Sequence, residues 1–286
     1  MKSSQNILVV GANSFVGSFL INELKKNNLN RITGIYHKNT DNLHSDITNI
    51  SVSDIETLPN NFNQVYLISA FVPMQNYLTE QERKLLYETN IELTNTICLQ
   101  FTNAKIIYCS SVSVFSVSNN VIDEYSPIAG LNEYGISKLW AEKVVKSSNQ
   151  YAILRFSSIY GKDMKTNTFL PNCIKQAITN DEIVIYGKGE RLQDYIHVSD
   201  VVRYLISAAQ CPTNEIFLGV YGKSFSNLEI AKIISQITGC GISFKDDDHS
   251  PSFVYNNNYT CKTLSCYPKM DINNGINSLI EWFKKY

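Results

Sequence analysis

Short apolar runs alternate with helical spacing of apolar positions over the first two-thirds of the chain. The runs predict five strands, at residues 7–10, 31–36, 64–69, 104–110 and 151–156. The intervening helices are predicted to begin near Phe15, Glu80 and Asn132. Strands separated by helices form βαβ crossovers, and near-continuous apolar strands fit a sheet that is covered on both faces. The pattern therefore predicts an α/β fold built on a doubly wound parallel sheet.

The pattern changes after Gly161. We expect helices at residues 169–179, 200–209, 226–238 and 272–285, strands at 183–186 and 215–218, and a polar surface loop at 245–259. The chain is long enough for one large α/β domain and a smaller partner. We predict a larger domain from residues 1–162 and about 196–212, and a smaller one from residues 163–195 and 213–286.

Composition and charge narrow the function classes. The 286 residues carry a formal net charge of −1 and 18% charged residues, which gives no sign of a nucleic-acid or membrane surface. No apolar run approaches ~20 residues, so a membrane span is not expected. The opening MKSSQNILVV is too short and polar for a signal peptide. The seven cysteines lack C-x-x-C spacing, which favours reduced thiols in a cytoplasmic protein over disulfides or a metal site.

A glycine-rich turn follows the first strand, in the stretch VVGANSFVG. Gly11 allows a sharp turn, and Gly17 allows the following helix to pack closely. Ser14 stands where a middle glycine is usual, and its small hydroxyl can donate to a phosphate oxygen. The free N–H groups of the helix start can hold a phosphate pair. The turn therefore predicts dinucleotide binding by a Rossmann-like domain.

The end of the second predicted strand bears on the choice of cofactor. An acid there usually holds the ribose hydroxyls of NAD, but here the tip is Tyr36, His37 and Lys38, and the first acid is Asp41. A basic tip suits a 2′-phosphate, so His37 and Lys38 favour NADP(H). NAD(H) remains open, because both side chains can also belong to a solvated loop end.

A tyrosine and a lysine lie four residues apart in EYGISKLW, as Tyr134 and Lys138. On a helix the two side chains lie on one face, one turn apart. Chance placement gives roughly one such pair in a chain of this composition, so the spacing alone is weak. Its meaning depends on the segments around it.

Eight segments occur in a recognisable order: GANSFVG, SDIT, VYLISAF, TNIELTNTI, IIYCSSVSVF, YGISK, LRFSSIYG and GKGERLQDYIHVSDV. Together they resemble the extended short-chain dehydrogenases/reductases, in the branch of NAD(P)-dependent nucleotide-sugar epimerases, dehydratases and reductases. The match covers nearly the whole chain and thins after about Gly241. The resemblance implies a Rossmann-like doubly wound parallel sheet with a smaller C-terminal α/β substrate domain.

The resemblance implies catalytic roles for Ser111, Tyr134 and Lys138. Hydride transfer at a sugar carbon requires proton transfer at the attached oxygen, and Tyr134 is the expected acid/base. A nearby ammonium favours the phenolate, and Ser111 can hydrogen-bond the sugar oxygen. With the glycine turn and the basic strand tip, the expected cofactor-binding residues are Gly11, Ser14, Phe15, Val16, Gly17, His37, Lys38, Asp46, Ile47, Ser69, Ala70, Phe71, Asn90, Tyr134, Lys138, Phe156 and Ser158.

The resemblance also implies a nucleoside-diphosphate sugar as substrate. Its expected contacts are Ser111, Ser113, Tyr134, Ser158, Thr168, Phe169, Arg191 and Gln193. Gln193 occupies a position where many members carry an arginine. Residues 191 and 193 point to the same side of an extended strand, so Arg191 can serve the same diphosphate. The alternative is that Arg191 is a surface charge.

The reaction variant depends on the residues after Ser111. Sugar 4,6-dehydratases of this family carry an Asp–Glu pair there, and Val112 and Ser113 cannot replace it. We therefore expect no dehydratase. The acid-free strand tip and Ser158 favour a reductase of a 4-keto-(6-deoxy) sugar. The alternative is an NAD-dependent nucleotide-sugar 4-epimerase. A catalytically silent dinucleotide-binding protein is less favoured.

The family habit also predicts a homodimer. The helices expected at residues 80–100 and 132–148 would form a four-helix interface, and several apolar positions in LLYETNIELTNTI have helical spacing. The same positions can instead face the sheet of one chain, so the dimer is an expectation.

Overall fold

The computed structural model describes residues 4–73, 77–116, 120–129, 132–165 and 168–285. Within these ranges the strands are β1 Asn6–Val10, β2 Arg31–Tyr36, β3 Thr48–Ser51, β4 Gln64–Leu67, β5 Lys105–Ser111, β6 Gln150–Phe156, β7 Ser158–Tyr160, β8 Glu182–Tyr186, β9 Leu192–His197, β10 Glu215–Gly219, β11 Ser224–Ser226 and β12 Gly241–Lys245. The helices are α1 Phe15–Leu24, α2 Glu80–Tyr87, α3 Leu93–Gln100, α4 Glu133–Val145, α5 Phe169–Thr179, α6 Val198–Gln210, α7 Asn227–Thr238, α8 Asn258–Leu264 and α9 Ile272–Phe283.

Seven strands form one parallel sheet in the order β10-β6-β5-β4-β1-β2-β3. One face packs against α1 and α6, and the other packs against α3 and α4. Residues of β1 alternate between the two apolar cores, with Val9 in one and Leu8 in the other. The predicted doubly wound Rossmann-like fold is therefore confirmed.

A second apolar core lies in the C-terminal part of the chain. It collects buried side chains of α5, α7 and α9, including Ile174, Ile230 and Ile276. Two small sheets accompany it, β11-β9-β7 and β12-β8. Phe15 and Tyr221 contact both this core and the core beside β1, so these two rings link the two parts of the molecule.

Several elements differ from the sequence-based expectations. The strand at 215–219, placed by sequence in the smaller domain, pairs in parallel with β6 at the edge of the large sheet. The SDIT segment leads into β3, a short edge strand with no fully buried residue, so it lacks the apolar run that marks a strand. The polar stretch 245–259 ends in the start of α8, whose residues are mostly polar. The rest of the proposed domain division stays a prediction.

No helix in the described part of the chain has the length and apolar character needed to cross a membrane.

Candidate active site

The glycine turn joins β1 to α1 at the carboxyl edge of the sheet. Gly11 has φ +90, and a Cβ there would lie 2.8 Å from the Ser69 amide nitrogen. A Cβ on Gly17 would lie 2.0 Å from the Gly11 carbonyl oxygen. Both positions therefore require glycine, Gly17 because the helix presses on the turn itself. Because glycine has no side chain, the backbone of the turn is accessible at the place where a dinucleotide diphosphate would approach.

Ser14 has a different role from the expected phosphate contact. Its hydroxyl donates to the Gly11 carbonyl at 2.7 Å and accepts from the Gly17 amide at 3.1 Å. The one hydroxyl proton is thus used within the turn, as the N-cap of α1. The amides of Phe15 and Val16 lie at the positive end of this helix, and these groups fit a diphosphate.

The tip of β2 bears on the adenosine end of a cofactor. His37 and Lys38 are exposed. The side-chain amide of Asn13, from the glycine turn, donates to the carbonyls of Asn39 at 2.7 Å and Asp41 at 3.1 Å. This places the loop after β2 against the turn, in reach of an adenosine ribose.

The expected adenine contacts lie on the next segment. Ile47 packs beside Gly34 and the core under α1. Asp46 forms an ion pair with Lys25, and the hydrogen bond from that ammonium holds the pKa of the Asp46 carboxyl below its usual range. Because Lys25 already contacts the Asp46 carboxylate, an adenine that contacts Asp46 would have to share this carboxylate with Lys25.

Asn90 is a support beneath the site. A π-helical segment, Glu88–Glu92, joins α2 to α3 and carries Asn90, which is 1% exposed. Its Oδ1 accepts from the Phe71 amide at 2.8 Å, and its Nδ2 donates to the Phe71 carbonyl and the Ser137 hydroxyl, both at 3.0 Å. Asn90 thereby fixes the segment of Ser69, Ala70 and Phe71 to the helix that carries Tyr134. Short π-helical segments inside α-helices are frequent at functional sites.

Ser111, Tyr134 and Lys138 converge at the carboxyl end of β5. Asn132 caps α4 by accepting from the Gly135 amide at 2.8 Å. The Ser111 side chain lies close enough to the Tyr134 hydroxyl to act on its pKa. The Lys138 ammonium, 1% exposed, donates to the Cys109 carbonyl at 2.7 Å and lies 6.0 Å from the centre of the Tyr134 ring. The predicted helical pair is thus joined to the strand-end serine.

Burial sets the protonation of these groups. It raises the pKa of Tyr134 well above its ordinary value, and the hydrogen bond from Ser111 acts in the opposite direction. Burial lowers the pKa of Lys138 to about 8, while Cys109 and Glu142 act to raise it. Tyr134 is therefore a neutral phenol that needs positive charge nearby to release its proton. The arrangement can move one proton at a substrate oxygen.

A cleft of about 490 Å³ opens beside Ser111. Its lining includes the predicted residues Ser113, Ser158, Arg191 and Gln193, together with Asn132 and Asp194. A neighbouring cavity of about 450 Å³ includes Phe169 and shares Arg191 and Ser250 with the first. The Ser111 hydroxyl donates at 3.0 Å to Oγ of Ser113, which lines the cleft.

Arg191 lies between the two cavities. Its Nε donates to the Pro251 carbonyl at 3.3 Å, which leaves the other guanidinium donors for a ligand. Gln193 donates to Asn227 Oδ1 at 2.8 Å. Thr168 stands exposed at the start of α5 and makes no side-chain cap bond. Arg191 and Gln193 line the first cavity, and Arg191 and Phe169 line the second.

Phe156 differs from the expectation. It follows Arg155 in β6 and pairs with Ser111 across the sheet, but its side chain is 2% exposed. A Cβ on Gly219 would lie 2.4 Å from its ring. The side chain belongs to the core, so it is not open to a cofactor.

Asp194 is a cleft residue that the sequence reasoning missed. Its carboxylate accepts from the Ser157 hydroxyl at 2.5 Å and from the amides of Tyr221 at 2.9 Å and Gly222 at 2.8 Å. Burial raises the pKa of Asp194 to about 6, against the effect of these hydrogen bonds. It ties β9 to the end of β10. An acid inside the apolar run of this strand was the available signal.

The fold and the site together define an NAD(P)-dependent enzyme of the dehydrogenase/reductase type. The family model described as "NAD dependent epimerase/dehydratase family" matches residues 7–218. The chain belongs to this family.

The relatives and solved structures that resemble the chain include 4-epimerases. A putative UDP-glucose 4-epimerase of Methanocaldococcus jannaschii is 27% identical over 97% of this chain and 98% of its own. The UDP-glucuronic acid 4-epimerase from Bacillus cereus, in complex with UDP-glucuronic acid and NAD, matches with TM-score 0.87 and 22% identity over 98% of this chain and 99% of its own. A UDP-N-acetylglucosamine 4-epimerase from Methanobrevibacter ruminantium gives 0.86 and 21% over 99% of both chains.

These findings confirm the family expected from the eight segments. They give no support to a preference for NADP(H), because the similar structures that name a dinucleotide name NAD.

Proposed function

We propose that the protein is an NAD-dependent nucleotide-sugar 4-epimerase. The observation that carries the proposal is the Ser111–Tyr134–Lys138 group beside a glycine turn and an open cleft. The names of the relatives favour this activity over the keto-sugar reductase that the sequence favoured. The expected lack of dehydratase activity stays a prediction from Val112 and Ser113.

NAD, when bound, accepts a hydride from the sugar and returns it. The Tyr134 phenolate, favoured by the Lys138 ammonium and by the positive charge that NAD would bring, would take the proton of the C4 hydroxyl and so allow a 4-keto sugar to form. Ser111 donates a hydrogen bond to the oxygen that becomes the carbonyl. After the sugar turns over in the cleft, Tyr134 would give its proton back to the C4 oxygen as the other face of C4 is reduced. Charge, atoms and electrons balance, and the C4 configuration is inverted.

The two cavities divide the substrate between them. We place the sugar in the cleft beside Ser113 and Ser158, and the nucleotide in the cavity beside Phe169 and Thr168. Arg191 lines both cavities, so its guanidinium is suited to the diphosphate between the sugar and the nucleotide. The relatives bind UDP-sugars according to their names, and we propose the same class here.

The experiment is to denature the purified protein and identify the dinucleotide that it releases. The native protein is then incubated with UDP-glucose, UDP-N-acetylglucosamine and UDP-glucuronic acid, and the sugars are separated. Released NAD and conversion of one sugar to its 4-epimer without added cofactor support the proposal. Stoichiometric NADPH oxidation with a nucleoside-diphosphate 4-keto-6-deoxy sugar, and no epimerisation, would show a reductase instead.

Replacing Arg191 with glutamine should raise KM for the nucleotide sugar by roughly 10–100-fold with little change in kcat, because a charge-assisted hydrogen bond to the diphosphate is lost. Steady-state kinetics measure both constants. Arg31→Gln is the matched control, since Arg31 is exposed at the opposite end of the sheet. Unchanged KM in Arg191→Gln would make Arg191 a surface charge.

We also propose a homodimer. Ile136 and Trp140 of α4 are 52% and 57% exposed, and Tyr87 and Leu99 of the neighbouring helices are 52% and 70% exposed. Sedimentation should give twice the chain mass of 32.4 kDa, and Trp140→Glu should shift it to the monomer because a charge would be buried in the interface. Phe244→Glu, at a residue 55% exposed in the smaller part of the molecule, should leave the dimer intact. A monomeric wild type would refute this proposal.

A further inference from the structure

Lys138 is a buried cation without a carboxylate in direct contact. Its hydrogen bond among the described residues goes to the Cys109 carbonyl at 2.7 Å, and the side chain is 1% exposed. An ammonium has three donors, so two remain for cofactor or substrate. A carbonyl dipole alone is little compensation for the hydration that this charge has lost.

Tyr108 supplies a second contact. The Lys138 ammonium lies over the Tyr108 ring, 4.5 Å from its centre. The ring is 1% exposed and belongs to the core between the sheet and α4. An aromatic face attracts a cation within about 6 Å, and the attraction grows when both groups are out of water. Tyr108 thus provides a fixed negative face under the ammonium.

The hydroxyl of Tyr108 does not explain the residue. It is buried and has no hydrogen-bond partner in the described part of the chain. An unsatisfied buried hydroxyl costs stability, so packing alone would be served at least as well by phenylalanine or leucine. The part of Tyr108 that contacts the Lys138 ammonium is its aromatic ring.

We propose that Tyr108 is a positioning residue that keeps Lys138 charged and directed at the reacting end of the site. The proposal rests on the proposed function, because it assigns the ammonium a role toward Tyr134 and the cofactor. With the ring in place, Lys138 remains an ammonium, and its charge favours the Tyr134 phenolate that takes the proton of the sugar hydroxyl. Without the ring, the same lysine loses its proton at lower pH and Tyr134 becomes a weaker acid.

Few other groups compete for this ammonium. The titratable and charged side chains that face the Lys138–Tyr108 pair are Cys109 of β5, Tyr134 and Glu142 of α4, Cys98 of α3 and Arg155 of β6. Burial raises the pKa of the Cys109 thiol to about 11, so it is neutral. Glu142 is paired with Arg155 at 2.8 Å and still acts, with Cys109, to raise the pKa of Lys138. The contact with the Tyr108 ring can therefore be tested by substitutions that leave the charged groups around Lys138 unchanged.

The test compares Tyr108→Phe, which keeps the ring, with Tyr108→Leu, which removes it. The retained dinucleotide is first removed from the full-length protein, and its affinity for added NAD is then measured by calorimetry from about pH 6 to about pH 10, with no sugar present. Wild type and Tyr108→Phe should lose affinity with a shared midpoint, which the pKa of Lys138 places near pH 8. In Tyr108→Leu the midpoint should fall by about one pH unit. Tyr108→Met is the second apolar variant should Tyr108→Leu fail to fold.

A merely structural role would lower affinity or thermal stability without moving the midpoint. Equal midpoints in the ring-free variant and Tyr108→Phe, or wild-type affinity that does not depend on pH, would overturn the proposal. Because this measurement needs no sugar, failure of the midpoint to move is separable from failure of the epimerase assignment. Absence of any NAD binding would overturn the proposed function itself.

Discussion

Tyr134→Phe should lower kcat for epimerisation by about 10²–10⁴-fold while the protein still binds NAD. The substitution removes only the hydroxyl that exchanges a proton with the sugar oxygen. The ring, the α4 backbone and the Lys138 contact with the Cys109 carbonyl at 2.7 Å are untouched. The loss should therefore appear in the chemical step and leave the fold and the substrate affinity in place.

The physical reason lies in the burial of the group. Burial raises the pKa of Tyr134, so the phenol gives up its proton only where the Lys138 ammonium and a positive nicotinamide favour the phenolate that acts as the base. Ser111 lies beside the phenol, but a serine hydroxyl is far too weak a base to replace it. No other side chain described at the end of β5 combines an acidic proton with contact to Ser111.

The measurement is single-turnover conversion of a UDP-sugar at saturating concentration, with the dinucleotide content of each preparation determined. Tyr267→Phe is the matched control, because Tyr267 is 57% exposed and lies outside both cavities. The control should retain wild-type kcat. Tyr134→Phe with more than about one-tenth of wild-type kcat would contradict the assigned mechanism.

Local signals in the sequence predicted the conformation of the glycine turn and the helical pairing of Tyr134 with Lys138. The turn at Gly11 and Gly17 is recognisable because only glycine fits the backbone at these two positions. Tyr134 and Lys138 are recognisable by their helical spacing. Their placement beside Ser111 depended on the order of eight segments rather than on any one. The same local logic failed for Ser14, because the sequence does not tell whether a hydroxyl caps its own helix or faces a ligand.

Features that depend on distant pairing were out of reach. The strand 215–219 has the composition of any short strand, and only its pairing with β6 shows that it closes the edge of the large sheet. Asp194 gains its role from amides of residues 221 and 222, which lie outside its own segment. Tyr108 looks like one more apolar residue of β5 until the lysine above its ring is seen.

The largest effect on stability should come from Glu142→Ala, which should lower the free energy of unfolding by about 3–5 kcal/mol. Glu142 of α4 accepts from Arg155 at 2.8 Å and 3.0 Å and from the Ser110 hydroxyl at 2.7 Å. The side chains of Glu142 and Arg155 are 2% and 3% exposed. Removing the carboxylate leaves a buried guanidinium without its counter-charge, and that desolvated cation is the main source of the loss.

Urea denaturation followed by circular dichroism measures the effect. Glu133→Gln is the matched control on the same helix, because its partner Arg83 is 56% exposed and an exposed pair contributes about 1 kcal/mol or less. The double variant Glu142→Leu with Arg155→Met should recover most of the stability, since no unpaired charge remains in the core. If Glu142→Ala lost no more than Glu133→Gln, the pair would not hold α4 to β5 and β6. A large loss would instead mean that the helix carrying Tyr134 and Lys138 is fixed to the sheet by this buried pair, one turn beyond the lysine.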